Sequence, residues 1–587
     1  MKKTLKLFSL LALMGAMAVG CTNLEIPGQA RNDEWGQAGT GEVVVATSTI
    51  SLGGSTGTKA LDAAGHKSFA EDDQIAVVYM NTSNQTVKAV SNKLETSDIH
   101  DGGKKATITV TLENPAQNGA LRYIYPAAMA KGTIDAGATI NDANTINYDA
   151  LATQDGTLAT LASNLDLAVY DGTLTGEAAL PASVNLTNPL CIGEFTIKNA
   201  DGSSDLTSTI TGLWISDGTN SYAVTRKAAA GPIYVAMRPV AATITFAAQT
   251  ASKYYEREVT GKTLAAGNMY PVGVRMTQNH TVNLARLCNA YTAQNGETLT
   301  GKLALCKQIS IKSGATVTLN NVDINGDNTF DGEFPGITCN GNATLTLVGT
   351  NTVKGCYGNG YPGIFPPENK EKTLTINGTG KLFAYGNGSG AAGIGGGKKP
   401  YLDCGNIVIQ SGEITATGRQ YGAGIGSSGM SGHNNSCGDI TITGGKVTAT
   451  GGSRAAGIGT GCATLGSIGR KEQTNQCGNI SISGGTVTAT GGSGAAGIGL
   501  GYTDKGYSSS AKMNSICGTI TITNGVTSVT AIRGSGEPYC IGKGANNNRN
   551  TTLTCGTITI GGVDKGTDGV NPSPDGNTYV YPIPATQ

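Results

Sequence analysis

The 587-residue chain has no net charge: 41 Lys+Arg stand against 41 Asp+Glu. Nucleic acid is held in large part by counterion release onto a basic surface, so a neutral chain is not expected to take it as a partner. Histidine is scarce, with four residues in all and His433 alone in the second half. A zinc site there would fall to cysteines, and these lack the paired C-x2-C spacing. Past residue 20 no apolar run is long enough to span a bilayer. Long helical periodicity is missing too, which removes α/β and all-α architectures and leaves short β-strands.

Glycine is what the chain has in excess, 87 residues or about 15%, near twice the usual share of roughly 7%. The N-terminus is the other strong signal. Lys2, Lys3 and Lys6 precede an apolar stretch from Leu7 to Val19, and "AVGC" at 18–21 resembles a bacterial lipobox. That pattern reads as a lipoprotein signal peptide over 1–20, with Cys21 as the lipid attachment point and 21–41 as a lipidated tether. Several acyl chains anchor stably where one is marginal, so the expected location is the outer membrane, lipid-anchored and surface-exposed.

Between residues 42 and 278, short runs alternate apolar and polar positions, among them "EVVVATSTISL" (42–52), "QIAVVYMN" (74–81), "KATITVTL" (105–112), "CIGEFTIKN" (191–199) and "PIYVAMRP" (232–239). They read as antiparallel sandwich strands in two domains, 42–170 and 171–278. "KSFAEDDQIAVVYMN" (67–81), "LRYIYPAA" (121–128) and "TLAAGNMYPVGVRM" (263–276) resemble three successive motifs of the fimbrillin family. The resemblance implies two β-sandwich domains, a surface location and fimbrial subunits as partners, in many members after trypsin-like processing. Arg31 is the one basic processing candidate between Cys21 and the first strand. The chain departs from that family by continuing some 300 residues beyond the second domain.

Those residues repeat. "CGDITITGGKVTATGGSRAAGIG" (437–459) returns as "CGNISISGGTVTATGGSGAAGIG" (477–499) with five differences in 23 positions. First strands are expected at 309, 345, 374, 407, 440, 480, 520 and 558, and a closing glycine-isoleucine turn follows most of them. Three short strands joined by glycine corners that need φ > 0 make one turn of a parallel β-helix. The fold class is therefore all-β: two fimbrillin-like sandwiches, a connector and cap (279–302), about eight coils (303–562) and a C-terminal tail or cap (563–587).

Length varies mainly after each "GIG", where inserts at 396–403, 427–436, 460–476 and 500–516 should emerge along one edge as a polar wall. Tyr401, His433, Arg470, Tyr502 and Tyr507 lie in them and are the expected ligand-contact residues, with a glycan or a host or bacterial surface protein as ligand. Cys404, Cys437, Cys477, Cys517 and Cys555 share one repeat position and are expected to stack as a ladder of buried free thiols. Glu413, Asp439, Glu472, Asp504 and Glu537 are too scattered for the paired acids of a glycosidase or lyase, so no enzyme is expected. "DINGDNTFDGEF" (323–334) offers Asp323, Asn325, Asp327 and Asp331 in an EF-hand-like order. It departs at Asn328 and Phe334, so a solvated turn is expected, with calcium the alternative and no other cofactor. The function these features predict is an adhesin or fimbria-associated subunit; the alternatives are a structural stalk and a carbohydrate-active β-helix enzyme.

Overall fold

The structure is a computed structural model that describes residues 43–52, 68–241, 243–303, 307–324, 332–356, 360–397, 403–431, 434–464, 472–504, 512–537, 539–547, 551–573 and 576–582. Strands dominate it throughout, as the missing helical periodicity predicts. Among the described residues no helix is long and apolar enough to cross a membrane.

Alternation builds the first sandwich. In Lys105–Glu113 the residues Ala106, Ile108, Val110 and Leu112 are buried while their neighbours face outward, the period-2 signature of a half-buried strand. One sheet runs Ile99–His100, Lys105–Glu113, Val43–Leu52, Ser183–Leu186; the facing sheet runs Thr86–Val90, Ala76–Met80, Ala120–Tyr125, Ala168–Thr173. Val43–Leu52 is held on both sides, antiparallel to Lys105–Glu113 and parallel to Ser183–Leu186. A cut after Arg31, which lies outside the described residues, would leave this strand in place. Since Ala168–Thr173 pairs with Ala120–Tyr125, the division drawn at 170/171 crosses a strand of this sandwich. Arg122 is buried at 5% exposure, yet its guanidinium bonds Asp171 at 2.6 and 2.8 Å, Asp142 at 2.8 Å and Thr145 at 3.0 Å. A buried charge is tolerable only with such satisfaction.

The second sandwich is one eight-stranded sheet folded over on itself, so that Phe195 meets Phe246 edge-on at 5.4 Å. Cys191–Asn199 and Met269–Gln278 pair in parallel over eight positions, but Met269–Gln278 and Tyr254–Val259 pair at only two, Tyr255 with Gln278 and Glu256 with Thr277. The layers part beyond that point.

Parallel stacking then takes over. Ile440, Ile480, Ile520 and Ile558 pair in register, as do Val447, Val487 and Val529, and Ile425, Ile458, Ile498 and Ile541. Each is buried, and full burial of such a side chain stabilises by about 1.5–3 kcal/mol. The coil begins earlier than expected, with Thr281–Asn283 and Thr298–Lys302 already parallel rungs inside the presumed connector. Ile309–Ile311 is also reassigned, because it pairs with Ile337–Cys339 in the closing-turn sheet, and the first strand of its coil is Ala315–Ile324. A three-residue Ile-Ser-Ile run has the same alternation on either face.

The two glycine corners of a coil differ. At the "GGS" corner neither Gly451 nor Gly452 has positive φ; a Cβ on Gly451 would strike the carbonyl of Ala455. Positive φ is found at the "GG" corner, +83° at Gly445 and +78° at Gly485, and also on the glycine after the closing isoleucine, +133° at Gly459 and +127° at Gly499, where the carbonyl of the next rung leaves no room for a Cβ.

Among the described residues the two long sheets of the coil are covered at both ends, while the wall sheet ends at Thr551–Cys555. Ala247 and Tyr254 of the second sandwich belong to the same continuous apolar core as the rungs. Gln249 fastens that junction, accepting from the amides of Cys288 (2.6 Å) and Asn289 (3.2 Å) and donating to the carbonyls of Asn289 and Ala290. Arg286 bonds Glu256 at 2.7 Å and lies 5.1 Å from the Trp214 ring. At the far end Val563–Asp564, Gly569–Val570 and Thr578–Tyr581 pair antiparallel onto the last coil, and the reversal of direction ends the stack.

Candidate functional site: the insert wall of the coil

The described parts of the inserts at 427–436, 460–476 and 500–516 contain strands. Met430–Ser431, Ala463–Thr464 and Thr503–Asp504 form one small parallel sheet, and Asn435–Cys437, Glu472–Cys477, Lys512–Cys517 and Thr551–Cys555 form another. The signal was present as "EQTNQC" and "KMNSIC", whose alternation is carried by polar residues. Their inward positions are Gln473, Asn475 and Cys477, then Met513, Ser515 and Cys517. A polar interior is stable when its groups find partners. Ser427 Oγ donates to Asn475 Oδ1 at 2.7 Å, Asn475 Nδ2 to the Gly461 carbonyl at 2.9 Å, and the Gly461 amide to Ser427 Oγ at 3.1 Å. Ser428 Oγ donates to Asn435 Oδ1 at 3.0 Å, and the Gly501 amide to Thr460 Oγ1 at 2.8 Å.

Facing outward are Glu472, Thr474 and Gln476 on one rung, Lys512, Asn514 and Ile516 on the next, and Thr552 and Thr554 after them. Asn514 Nδ2 donates to Glu472 Oε1 at 2.8 Å across the rungs. The result is a mostly polar face of mixed charge that carries amide and hydroxyl groups.

Of the residues expected to contact ligand, Tyr502 is the one placed. The Arg454 guanidinium lies 5.1 Å from its ring centroid and bonds Asp504 at 2.5 Å. Its ring is thus partly covered by a side chain of the preceding rung. Tyr401, His433, Arg470, Tyr507 and the lipid candidate Cys21 lie outside the described residues, as do Asn325, Asp327 and Asp331 of the calcium alternative. Asp323 is placed at the end of Ala315–Ile324, 4.0 Å from Lys302. Among the described residues no group of three or more His, Cys, Asp or Glu converges for a metal.

The five scattered acids have separate partners. Glu413 lies between Lys381 and Lys446, 3.0 Å from each, and these hydrogen bonds hold its carboxyl below the usual range. Asp439 Oδ1 accepts the amide of Asn479 at 2.7 Å, just as Asn406 serves Asp439 and Asn479 serves Thr519. That position needs only an acceptor oxygen, which is why the two copies exchange Asp for Asn there. Glu472 meets Asn514 and Asp504 meets Arg454. Glu537 is buried, and desolvation pushes its carboxyl up to about 7. The thiols of Cys191, Cys339 and Cys462 are likewise pushed up to about 12 by burial, which makes them poor nucleophiles.

Two further concavities escaped sequence reasoning. One, of about 500 Å³, is the mouth where the layers of the second sandwich part, lined by Phe195, Phe246, Val259, Leu264 and Tyr270. The other, of about 350 Å³, opens on the early coils beside Phe334, Thr338, Tyr361, Phe365 and Glu368. Neither has a local sequence signature, because each is assembled from separate strands.

Four segments, 374–398, 407–429, 440–462 and 480–502, match a family model described as beta helix repeat. No curated protein matches the chain. Among solved structures, it is similar to the tip fimbrial protein Mfa3 from Porphyromonas gingivalis with C-terminal truncation, at 10% identity and a TM-score of 0.23, covering 40% of this chain and 95% of that one. It is also similar to a fimbrial assembly protein from Parabacteroides distasonis ATCC 8503, at 12% identity and a TM-score of 0.24, covering 40% of this chain and 93% of that one.

Proposed function

We propose that the chain is a fimbria-associated cell-surface adhesin, held at an outer membrane through lipid on Cys21, whose sandwiches form a base and whose insert wall contacts a glycan. The observation that carries this reading is the covering of the coil's two long sheets at both ends. An open β-helix end is a row of unpaired backbone groups that recruits another copy, and here the second sandwich covers one end and antiparallel strands the other. A shaft growing by coil-on-coil stacking does not fit that arrangement, whereas a terminal display module does. The mixed amide, hydroxyl and charged residues of the wall suit a hydroxylated ligand. Separate engagement of the five acids favours binding over turnover.

Glycan and surface-protein arrays probed with residues 22–587 test this. Binding to a glycan set that is lost on joint replacement of Glu472, Lys512 and Asn514 by Ala, with melting unchanged, is the expected result. Binding indifferent to those changes moves the ligand off the wall.

A second reading has its own observation. The parted layers of the second sandwich leave the facing edges of Tyr254–Val259 and Met269–Gln278 unpaired along most of their length, and such edges accept a strand from a partner. Assembly with fimbrial subunits through this mouth is compatible with adhesion by the wall. Co-purification lost on Val259→Lys, while array binding persists, would separate the two.

A further inference from the structure

The cysteine ladder sits where the insert wall joins the main coil. Cys437, Cys477, Cys517 and Cys555 are register partners at the inner ends of the wall strands, and Cys404 bridges to Cys437 one rung before the wall begins. All five are buried. Thiols along the ladder touch, Cys437 with Cys477 and Cys517 with Cys555 among them, and Cys404 Sγ lies 2.7 Å from Cys437 Sγ. Two non-bonded sulfur atoms overlap at that separation, whereas a disulfide sets them about 2.05 Å apart. In-register parallel neighbours stand about 4.8 Å apart, inside the Cα range of about 4.4–6.8 Å that a disulfide spans. Parallel Cβ directions argue against bonding along a regular ladder, but Cys404 is bridged to Cys437 only by an isolated pairing, outside the wall sheet. Its Sγ leans toward the next rung, to 2.7 Å from Cys437 Sγ.

We propose that Cys404 and Cys437 form a disulfide in the mature protein, a cross-link that staples the first wall strand, Asn435–Cys437, to the coil before it. That strand is the edge of the wall sheet, and an edge strand is the place where a sheet frays. The oxidant is a disulfide, either of low molecular weight or of a thiol-oxidising protein. One cysteine thiolate attacks it, forming a mixed disulfide and releasing one thiolate, which takes up a proton. The second cysteine thiolate then attacks the sulfur of the first and releases the other half of the oxidant. Two cysteine thiols are oxidised to one S–S bond and the oxidant disulfide is reduced to two thiols. With Cys404 at 0% and Cys437 at 1% exposure, exchange has to precede closure of the coil. Five cysteines cannot all pair within the ladder, so at least one of Cys477, Cys517 and Cys555 stays a thiol unless it pairs outside it.

The five cysteines fall in five different tryptic peptides, so a peptide map reads the pairing directly. The full chain is reduced in denaturant, refolded with oxidised glutathione, alkylated with N-ethylmaleimide in fresh denaturant without reductant, and digested. The expected result is one linked species joining the Cys404 and Cys437 peptides, more than tenfold over any other pairing. Full alkylation of both residues overturns the proposal, and so does a Cys437–Cys477 link. In Cys404→Ser treated identically, Cys437 should become alkylated. Because alkylation is done in denaturant, buried and exposed thiols react alike; hydrogen exchange of the refolded chains, with coil protection matching the parent, shows that the pairing was read from folded protein, and because the oxidant is supplied, the result does not depend on where the protein resides.

Discussion

The base and the coil solve the same problem, satisfying backbone hydrogen bonds around an apolar core, in opposite ways. In the sandwiches every stabilising group is singular: Arg122 has its own three side-chain partners, and Phe195 its own facing ring. In the coil a position is defined by the identical position above and below it. A residue of the base therefore answers to unrelated segments far along the chain, while a residue of the coil answers mainly to copies of itself. Specificity in the coil comes from register, and register is enforced by sterics that admit few residue types.

That difference is broken most severely at a closing glycine. Gly459→Ala would place a methyl group against the carbonyl of Gly499 at a φ of +133°, and the displaced rung has no freedom to relax without shifting its neighbours. Loss of about 4 kcal/mol or more is expected. Hydrogen exchange on the full chain should show protection lost in Ile458–Gly459 and Ile498–Gly499 while the sandwiches stay protected. Arg122→Met is the counterpart in the base. It removes four hydrogen bonds but leaves behind two half-exposed carboxylates and the buried Thr145 hydroxyl, which keeps its bond to the Asn141 carbonyl, so about 2–3 kcal/mol is expected, below the 3–5 kcal/mol of a fully buried pair. Protection should fall in Ala120–Tyr125 and Ala168–Thr173 and remain in the coil. Spread of either loss into the other region would mean that the two do not unfold independently.

A smaller effect probes the C-terminal end of the coil through pH. Burial raises the Glu537 carboxyl from its usual 4.5 to about 7, so the fold favours the protonated form. Below 4.5 both folded and unfolded states are protonated and stability is unaffected. As pH rises toward 7 the unfolded state ionises freely and the fold does not, so stability declines across that window and stays low above it. The full loss is on the order of 3 kcal/mol. Glu537→Gln should flatten the profile and melt higher than the parent at pH 8; a lower melting point there would show that ionised Glu537 is stabilising.

Alternation and a recurrence every 29 to 40 residues carried the fold class, the two-part organisation and most rungs, because Val, Ile and Thr recurring in phase leave few other structures. Ile309–Ile311 was misplaced because three residues cannot specify which face of a coil they join. The wall strands stayed hidden for a different reason: their inward residues are Asn475, Ser515 and Gln473, and alternation is invisible when both faces are polar. Their interior is legible only once Ser427, Asn475 and Gly461 are seen to close a hydrogen-bonded ring. The mouth of the second sandwich could not be read at all, since it reflects where two strands stop pairing rather than which residues they contain.

The repeat itself supplies the mildest test of the contrast. Lys446 bonds Glu413 across the rung, but Lys381 holds the same carboxylate at the same distance, and the next copy carries Thr486 at the paired position. Lys446→Thr thus installs a residue the coil already uses one rung away. It removes an exposed ion pair worth about 0.2–1 kcal/mol and adds a β-branched residue suited to a strand, so the net change should lie within about 0.5 kcal/mol. Melting of the full chain and exchange in Lys446–Thr450 check it. A loss several times larger would mean that charge alternation along Lys381, Glu413 and Lys446, and not only the inward ladder of Ile414, Val447 and Val487, sets the register.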